Sequence, residues 1–157
     1  DHISLKDFEA LYFNEDFNQA MCKRVNLSRT VVRMERDDEK LNRVLRIGPD
    51  RELPTAVKKV LKADRLEYEE RLQYRWGSFE ARWETVPSVL ASKVDARGTI
   101  QFREAGDGVL RIAEGEIQVK LLGVGGMVEK LVVADVEKSF KDAADFTQKW
   151  IDERVKA

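Results

Sequence analysis

The sequence predicts an α+β fold in which a curved antiparallel sheet of about seven strands wraps around a long C-terminal helix. Three observations support this prediction. Apolar residues recur at every second position from Ser28 to Leu122, which is typical of strands. The segment after the Gly-rich step at 123–126 contains neither proline nor glycine, which favours one long helix. Before Ser28 the pattern instead favours two short helices.

Length and composition fit a single domain over residues 1–157. Of the 157 residues, 43% are hydrophobic and 36% are charged, and the formal net charge is −1, as in a soluble globular protein. Basic and acidic residues are interleaved, so we expect no nucleic-acid partner. No apolar run approaches the ~18–20 residues of a membrane span, so we expect no stable membrane insertion. A cytoplasmic location is expected, with removal of an upstream segment left open because the chain begins with Asp1 rather than Met. The oligomeric state has no signal in the sequence.

The N-terminal region predicts a short strand near His2–Leu5 followed by helices. Asn14 can cap the second helix, whose first turn then carries Glu15 and Asp16 at the positive end of the helix dipole. One face of this helix is apolar and comprises Phe17, Ala20, Met21 and Val25.

Alternation predicts the strands that follow. Residues 28–36 and 39–47 form a hairpin around Asp37-Asp38, and a short helix begins near Pro54. Residues 64–76 form the clearest strand, and the segment 78–86 returns beside it through Gly77-Ser78. One face of these two strands is apolar and comprises Leu66, Tyr68, Leu72, Tyr74, Trp76, Phe79, Ala81 and Trp83.

The last two strands are joined by AGDG at 105–108, which has the composition of a hairpin loop. In the second of them the apolar phase slips from even positions, such as Ile112, to odd positions, such as Ile117. A β-bulge near Gly115 would account for the slip.

The final helix has one apolar face and one charged face. About thirty residues at ~1.5 Å each make a rod of about 45 Å, long enough to lie diagonally across the sheet as a lid. The apolar arc comprises Val128, Val132, Val136, Ser139, Phe140, Ala143, Phe146, Trp150 and Ile151.

This order of elements resembles the START-like superfamily, also called SRPBCC or the helix-grip fold. The local stretches RELP, YEERLQYRW, RWETVPS and GVGGMVEKLVV, the last followed by Phe and Trp, look most like an uncharacterised bacterial branch of it. The resemblance covers essentially the whole chain, and its motifs are specific for fold more than for activity. It implies a cavity for a hydrophobic small molecule such as a lipid, sterol or polyketide.

Catalytic residue types are scarce. His2 is the only histidine, which argues against a His-based triad or a multi-His metal site, so we expect neither a metal nor a cofactor. Cys22 has no histidine beside it and is interpreted as a buried structural thiol. The GVGG step lacks the Lys-Ser/Thr of a phosphate-binding loop and is interpreted as a tight strand-to-helix turn.

Three charged residues share the phase of inward apolar residues. Glu70 is in phase with Leu72, Arg43 with Leu45, and Arg111 with Val109. Together they would form a polar floor, which is either a structural ion pair or a site that orients the polar head of a ligand. Glu129 lies in the first helical turn by this prediction, either as a capping acid or at the mouth of a pocket.

The favoured hypothesis is therefore a carrier or sensor of a hydrophobic ligand, without catalysis. An alternative is a cyclase- or hydrolase-like enzyme, with Glu70 and Tyr68 or Tyr74 as the acid–base pair and Arg43 holding an anion. A second alternative is an interaction module with a filled core. The predicted ligand-binding residues are Arg43, Leu45, Tyr68, Glu70, Tyr74, Trp76, Trp83, Phe102, Arg111, Glu129, Val132, Val136 and Phe140.

Overall fold

The fold is α+β, and its sheet is a curved open sheet of six antiparallel strands. The computed structural model describes residues 3–49, 52–89, 91–121, 123 and 125–155. The elements are α1 Leu5–Tyr12, α2 Glu15–Arg24, β1 Leu27–Arg36, β2 Lys40–Pro49, α3 Thr55–Leu61, β3 Tyr68–Arg75, β4 Glu80–Pro87, β5 Val94–Ala105, β6 Gly108–Val119 and α4 Gly125–Val155, with a short 3₁₀ turn at Ala91–Lys93. Each strand pairs with its neighbour in the chain, in the order β1-β2-β3-β4-β5-β6.

The prediction of a strand near His2–Leu5 is wrong for its described part, which accounts for six strands rather than seven. Ser4 is extended but caps α1, because its hydroxyl accepts a hydrogen bond from the backbone N of Asp7 at 3.1 Å. Leu5 is already helical. His2 lies outside the described residues.

The start of α2 agrees with the sequence. Asn14 is the N-cap, and its Oδ1 accepts a hydrogen bond from the backbone N of Phe17 at 2.9 Å. Glu15 and Asp16 occupy the first turn, as predicted.

Strand phase determines which side chains reach the inner face of the sheet, here the face that α1, α2 and α4 cover. On β2 the buried residues include Leu41, Arg43 and Leu45, and on β3 they are Leu72 and Tyr74. This is the predicted phase, so the charged Arg43 lies among apolar neighbours.

The prediction of a bulge near Gly115 is wrong. The β5–β6 register runs without a shift from Val94↔Val119 to Ala105↔Gly108. Gly115 instead makes room for an aromatic ring, because a Cβ built there would lie 2.4 Å from Cζ2 of Trp83. A register shift occurs instead in β1, between Val31 and Arg33.

The core lies under α1 and contains a hydrophobic core cluster rich in aromatic residues. The centroid of the Phe13 ring lies 4.5 Å from that of Tyr74 and 6.5 Å from that of Phe102. The buried members of the cluster are Phe8, Phe13, Leu41, Leu72, Tyr74, Ala81, Ile100 and Phe102.

Helix α4 has 31 residues and confirms the predicted long C-terminal helix. It begins at Gly125, so Glu129 lies in the second turn and the prediction of a first-turn acid is wrong. Near its end, the rings of Phe146 and Trp150 lie 5.9 and 5.4 Å from that of Phe17 on α2. Among the described residues, no helix combines the length and the apolar character needed to cross a bilayer.

Candidate functional site

Helix α4 is joined tightly to the end of β6. The Oε1 of Glu129 accepts a hydrogen bond from the backbone N of Val119 at 2.8 Å. Gly125 approaches the same residue so closely that an added Cβ would lie 2.3 Å from the carbonyl oxygen of Val119. Gly125 therefore lies at a close approach of α4 to the end of β6, while Val124 of the predicted turn lies outside the described residues.

A second contact between α4 and β6 lies further along both elements. The guanidinium carbon of Arg111 is 5.0 Å from the centroid of the Phe140 ring. Glu129 and Phe140 are eleven positions apart, so they lie on the same stripe of the helix.

Between these two contacts the facing surfaces of α4 and β6 stay exposed. Val133 and Val136 lie on the same stripe as Phe140 and are 42% and 37% exposed. Across from them, Ala113 and Gly115 are exposed, although pairing with Ile100 and Gly98 respectively places both on the inner face. The four exposed residues define a region that we call the α4–β6 opening: Ala113, Gly115, Val133 and Val136.

A group of polar residues adjoins the opening, and we call it the polar cluster. It brings together Arg43, Glu70 and Arg111, the three charged residues that the sequence analysis placed on the inner face. An Nη of Arg43 lies 3.7 Å from Oε1 of Glu70, and the Arg43 side chain is 5% exposed. The members of the polar cluster are Tyr12, Arg43, Tyr68, Glu70 and Arg111.

Arg43 is incompletely satisfied. Its Nε is buried and has no hydrogen-bond partner among the described residues, and the distance from its Nη to Glu70 is longer than a hydrogen bond. Its guanidinium carbon lies 5.7 Å from the centroid of the Phe13 ring, a weaker form of stabilisation for a cation. A buried donor without an acceptor costs free energy, so this position favours an added acceptor.

Arg111 connects the polar cluster to the opening. Its guanidinium lies between two rings, 5.9 Å from the centroid of Tyr12 and 5.0 Å from that of Phe140. The side chain of Glu70 is 27% exposed, so water reaches this end of the polar cluster. The cluster holds two guanidinium groups and one carboxylate, and it therefore carries an excess of one positive charge.

All three tyrosines of the chain have a raised pKa. Burial is the main cause for each of them. The carboxylate of Glu70 adds to the effect at Tyr68, and a hydrogen bond to Glu9 adds to it at Tyr74. At Tyr12 the positive charge of Arg111 opposes burial in part.

An alkaline titration tests these pKa directions. At about pH 10, where free tyrosine is half ionised, the folded protein should develop less tyrosinate absorbance at 295 nm than the unfolded chain. Burial of the neutral tyrosine hydroxyls contributes fully to the free energy of unfolding below about pH 10, the pKa of tyrosine in the unfolded chain. This contribution is lost as the pH rises further, because the folded-state pKa lies above the unfolded-state pKa. Stability measured by urea should therefore fall above that pH, and less steeply in Tyr68→Phe. Normal ionisation of any tyrosine in the folded state would contradict the burial described here.

Other predicted site residues lie in the packed core. Tyr74 and Phe102, which belong to the hydrophobic core cluster, are each 3% exposed. Leu45 is 2% exposed. The hydroxyl of Tyr74 donates to the buried carboxylate of Glu9, which also accepts a hydrogen bond from the backbone N of Gly77 at 2.7 Å. Tyr74 and Phe102 therefore belong to the core. Leu45 is the cross-strand partner of Glu70 and lies beside the polar cluster.

Trp76, Trp83 and Val132 are partly buried. The Nε1 of Trp76 donates to the carbonyl oxygen of Asp37 at 3.1 Å, at the hairpin end of the sheet. Trp83 lies over Gly98 and Gly115, directly beside the α4–β6 opening. Of these three residues, Trp83 is therefore the one whose ring adjoins the opening.

The structure adds residues that the sequence analysis did not single out. Tyr12 and Phe13 follow one another at the end of α1, where both rings turn toward the arginines of the sheet. The aromatic pair in the sequence was a usable signal, but strand alternation gave no reason to connect it with Arg43. Cys22 is buried as predicted, and burial raises the pKa of its thiol.

The comparison with protein families gives a match over residues 2–151, which is nearly the whole chain. The chain belongs to the DUF2505 family. This family is described as a protein of unknown function, and the match therefore assigns no activity to the polar cluster. No curated protein matches the chain.

Proposed function

We propose that this DUF2505 protein binds a hydrophobic small molecule in the α4–β6 opening and acts as a carrier or sensor without catalysis. The observation that carries the proposal is the exposure of Val133 and Val136 between two points where α4 is held against β6. Apolar side chains on the sheet-facing stripe of a helix normally pack against the sheet. A bound apolar molecule would cover them, at a gain of roughly 25 cal/mol per Å² of apolar surface.

Small residues on β6 support this reading. Ala113 and Gly115 leave no bulk opposite α4, and the ring of Trp83 supplies an apolar floor beside them. Ligand sites in proteins are commonly apolar surfaces with a few polar groups at one end. The α4–β6 opening with the polar cluster has this composition.

We also propose that the fold is a variant of the helix-grip fold. The strand meander followed by a long C-terminal helix supports the assignment. The described chain departs from the predicted arrangement in having α1 where an opening strand was expected. Lipids, sterols and polyketide-like molecules are the ligand classes that the resemblance suggests.

The acid–base alternative has less support. Tyr74 donates its hydroxyl to Glu9 and belongs to the core, so it is not a partner of Glu70. Tyr68 remains near Glu70, but its raised pKa makes it a poor proton donor at neutral pH. Binding requires neither residue to exchange a proton.

Introducing a charge into the α4–β6 opening should weaken binding of an uncharged probe. We expect Val136→Glu to lower the affinity for N-phenyl-1-naphthylamine by about ten-fold or more, because the probe would then displace water from a carboxylate. Fluorescence titration measures the affinity. Ala134→Glu is the matched control because it adds the same charge. Ala134 is exposed and lies two positions from Val136, on the outer side of α4.

Equal affinity in Val136→Glu and the unmodified chain would contradict the proposed location. Absence of probe binding to the folded, unmodified chain would contradict the proposed function. Native mass spectrometry of protein purified from cells, followed by denaturing extraction, would identify a co-purified ligand by its mass.

A further inference from the structure

We infer that the ligand is an amphipathic acid whose single anionic head group, a carboxylate, binds between Arg43 and Arg111 while its apolar tail lies in the α4–β6 opening. This inference rests on the proposed function and adds the chemical class of the ligand. It assigns to the polar cluster the recognition of charge and to the opening the recognition of the apolar tail.

The unsatisfied donor of Arg43 points to an acceptor. Arg43 is 5% exposed, its Nε has no hydrogen-bond partner in the described part of the chain, and Glu70 is 3.7 Å away rather than hydrogen bonded. A guanidinium presents its donors as a planar fork that matches the two oxygens of a carboxylate. A carboxylate head group would supply the missing acceptor to this buried fork.

The charge of the polar cluster favours an anion over a cation or a neutral head group. Glu70 can balance only one of the two guanidinium groups, and one added negative charge makes the cluster neutral. Burying an unbalanced charge is costly, so the monoanionic state of a ligand is favoured over a neutral one. Tyr12 stays protonated because its pKa is raised, so its hydroxyl remains a hydrogen-bond donor.

The position of Arg111 indicates where the head group and the tail of the ligand lie. Its guanidinium contacts Tyr12 on the cluster side and the ring of Phe140 on the helix side. Phe140 continues the helix stripe that carries Val136 and Val133. A head group at the guanidinium would therefore leave an alkyl or ring-containing tail beside this stripe.

Paired ligands that differ only in the head group test the inference. Dodecanoate, dodecyl phosphate, 1-dodecanol and dodecyltrimethylammonium should be titrated below their micelle concentrations, with calorimetry or tryptophan fluorescence as the readout. We expect dodecanoate to bind about ten-fold or more tightly than dodecanol, the size of effect typical of hydrogen bonds to a charged group. The cation should bind most weakly. Tighter binding of the phosphate than of dodecanoate would contradict a carboxylate head group.

Variants separate recognition of the head group from a structural role of the arginine. Arg43→Met should lower dodecanoate affinity about ten-fold and dodecanol affinity much less, because a neutral hydroxyl forms a weaker hydrogen bond with a guanidinium than a carboxylate does. Arg46→Met is the matched control, because Arg46 is an exposed arginine on the same strand, and both affinities should be retained. Glu70→Gln should strengthen dodecanoate binding by removing a competing carboxylate.

Each outcome has a distinct meaning. Equal affinity for acid and alcohol, or a parallel loss of both in Arg43→Met, would overturn the inference while leaving an apolar carrier intact. Weaker dodecanoate binding in Glu70→Gln would also overturn it. Failure of every amphiphile to bind the folded chain would instead remove the proposed function. If Arg43→Met does not fold, Arg111→Met provides the same comparison at the other guanidinium.

Discussion

Gly98→Ala is expected to destabilise the protein by about 3 kcal/mol, near the upper end for overpacking, or to prevent folding altogether. A Cβ at Gly98 would lie 1.9 Å from the carbonyl oxygen of Glu114 and 2.6 Å from Cα of Gly115. Both are backbone atoms of the neighbouring strand, so they cannot rotate away. The third close atom is Cζ2 of Trp83 at 2.7 Å, so the substitution would also displace the indole.

Gly126→Ala is the control for this substitution because it makes the same chemical change with the opposite expected sign. No atom lies within 4 Å of a Cβ at Gly126, and the residue is helical. Alanine there should stabilise α4 by roughly 0.5–1 kcal/mol, because it restricts the unfolded chain more than glycine does. Urea denaturation of both variants measures the difference, and a Gly98→Ala variant as stable as the parent chain would show that β5 and β6 are further apart than described.

Phe17→Ala should lower the free energy of unfolding by roughly 3–5 kcal/mol, the range found for buried phenylalanines. Phe17 is 1% exposed, and its ring contacts those of Phe146 and Trp150 near the C-terminal end of α4. Truncation would leave a cavity at the contact between α2 and α4. Amide hydrogen exchange in the last turns of α4 should accelerate even under conditions in which the sheet remains folded.

Phe140→Ala is the matched comparison on α4. Phe140 is 37% exposed and has one face on Arg111, so its truncation removes much less buried surface. We expect a loss of about 1 kcal/mol, estimated from the smaller apolar area removed from contact. Similar losses in the two variants would mean that Phe140 packs more tightly against β6, and the α4–β6 opening would then be filled.

The two predictions together describe how α4 is held. Aromatic packing on Phe17 fastens the helix near its end, and the hydrogen bond from Val119 to Glu129 fastens its beginning. Gly98 and Gly115 hold Trp83 close to the sheet between these points. Between these two ends Val133 and Val136 remain 42% and 37% exposed, and this exposed surface is the basis of the proposed ligand site.

Much of the fold follows from local sequence. Strand alternation placed Arg43 and Glu70 on the inner face, because side chains in a strand point to opposite faces in turn. Asn14 at the start of α2 and the uninterrupted segment after Gly126 were equally readable, since caps and helix propensity act over a few neighbouring residues.

Tertiary contacts decided the rest. The phase change in β6 suggested a bulge, but the register is continuous and Leu110 points to the outer face, where it is 51% exposed. The glycine at 115 instead makes room for Trp83, more than thirty residues earlier in the chain. A short strand was predicted near His2–Leu5, whereas the hydroxyl of Ser4 caps α1. Tyr12 joined Arg43 and Arg111 only because α1 lies across the sheet. Periodicity determines which face a side chain points to, but the packing of distant elements determines what it meets there.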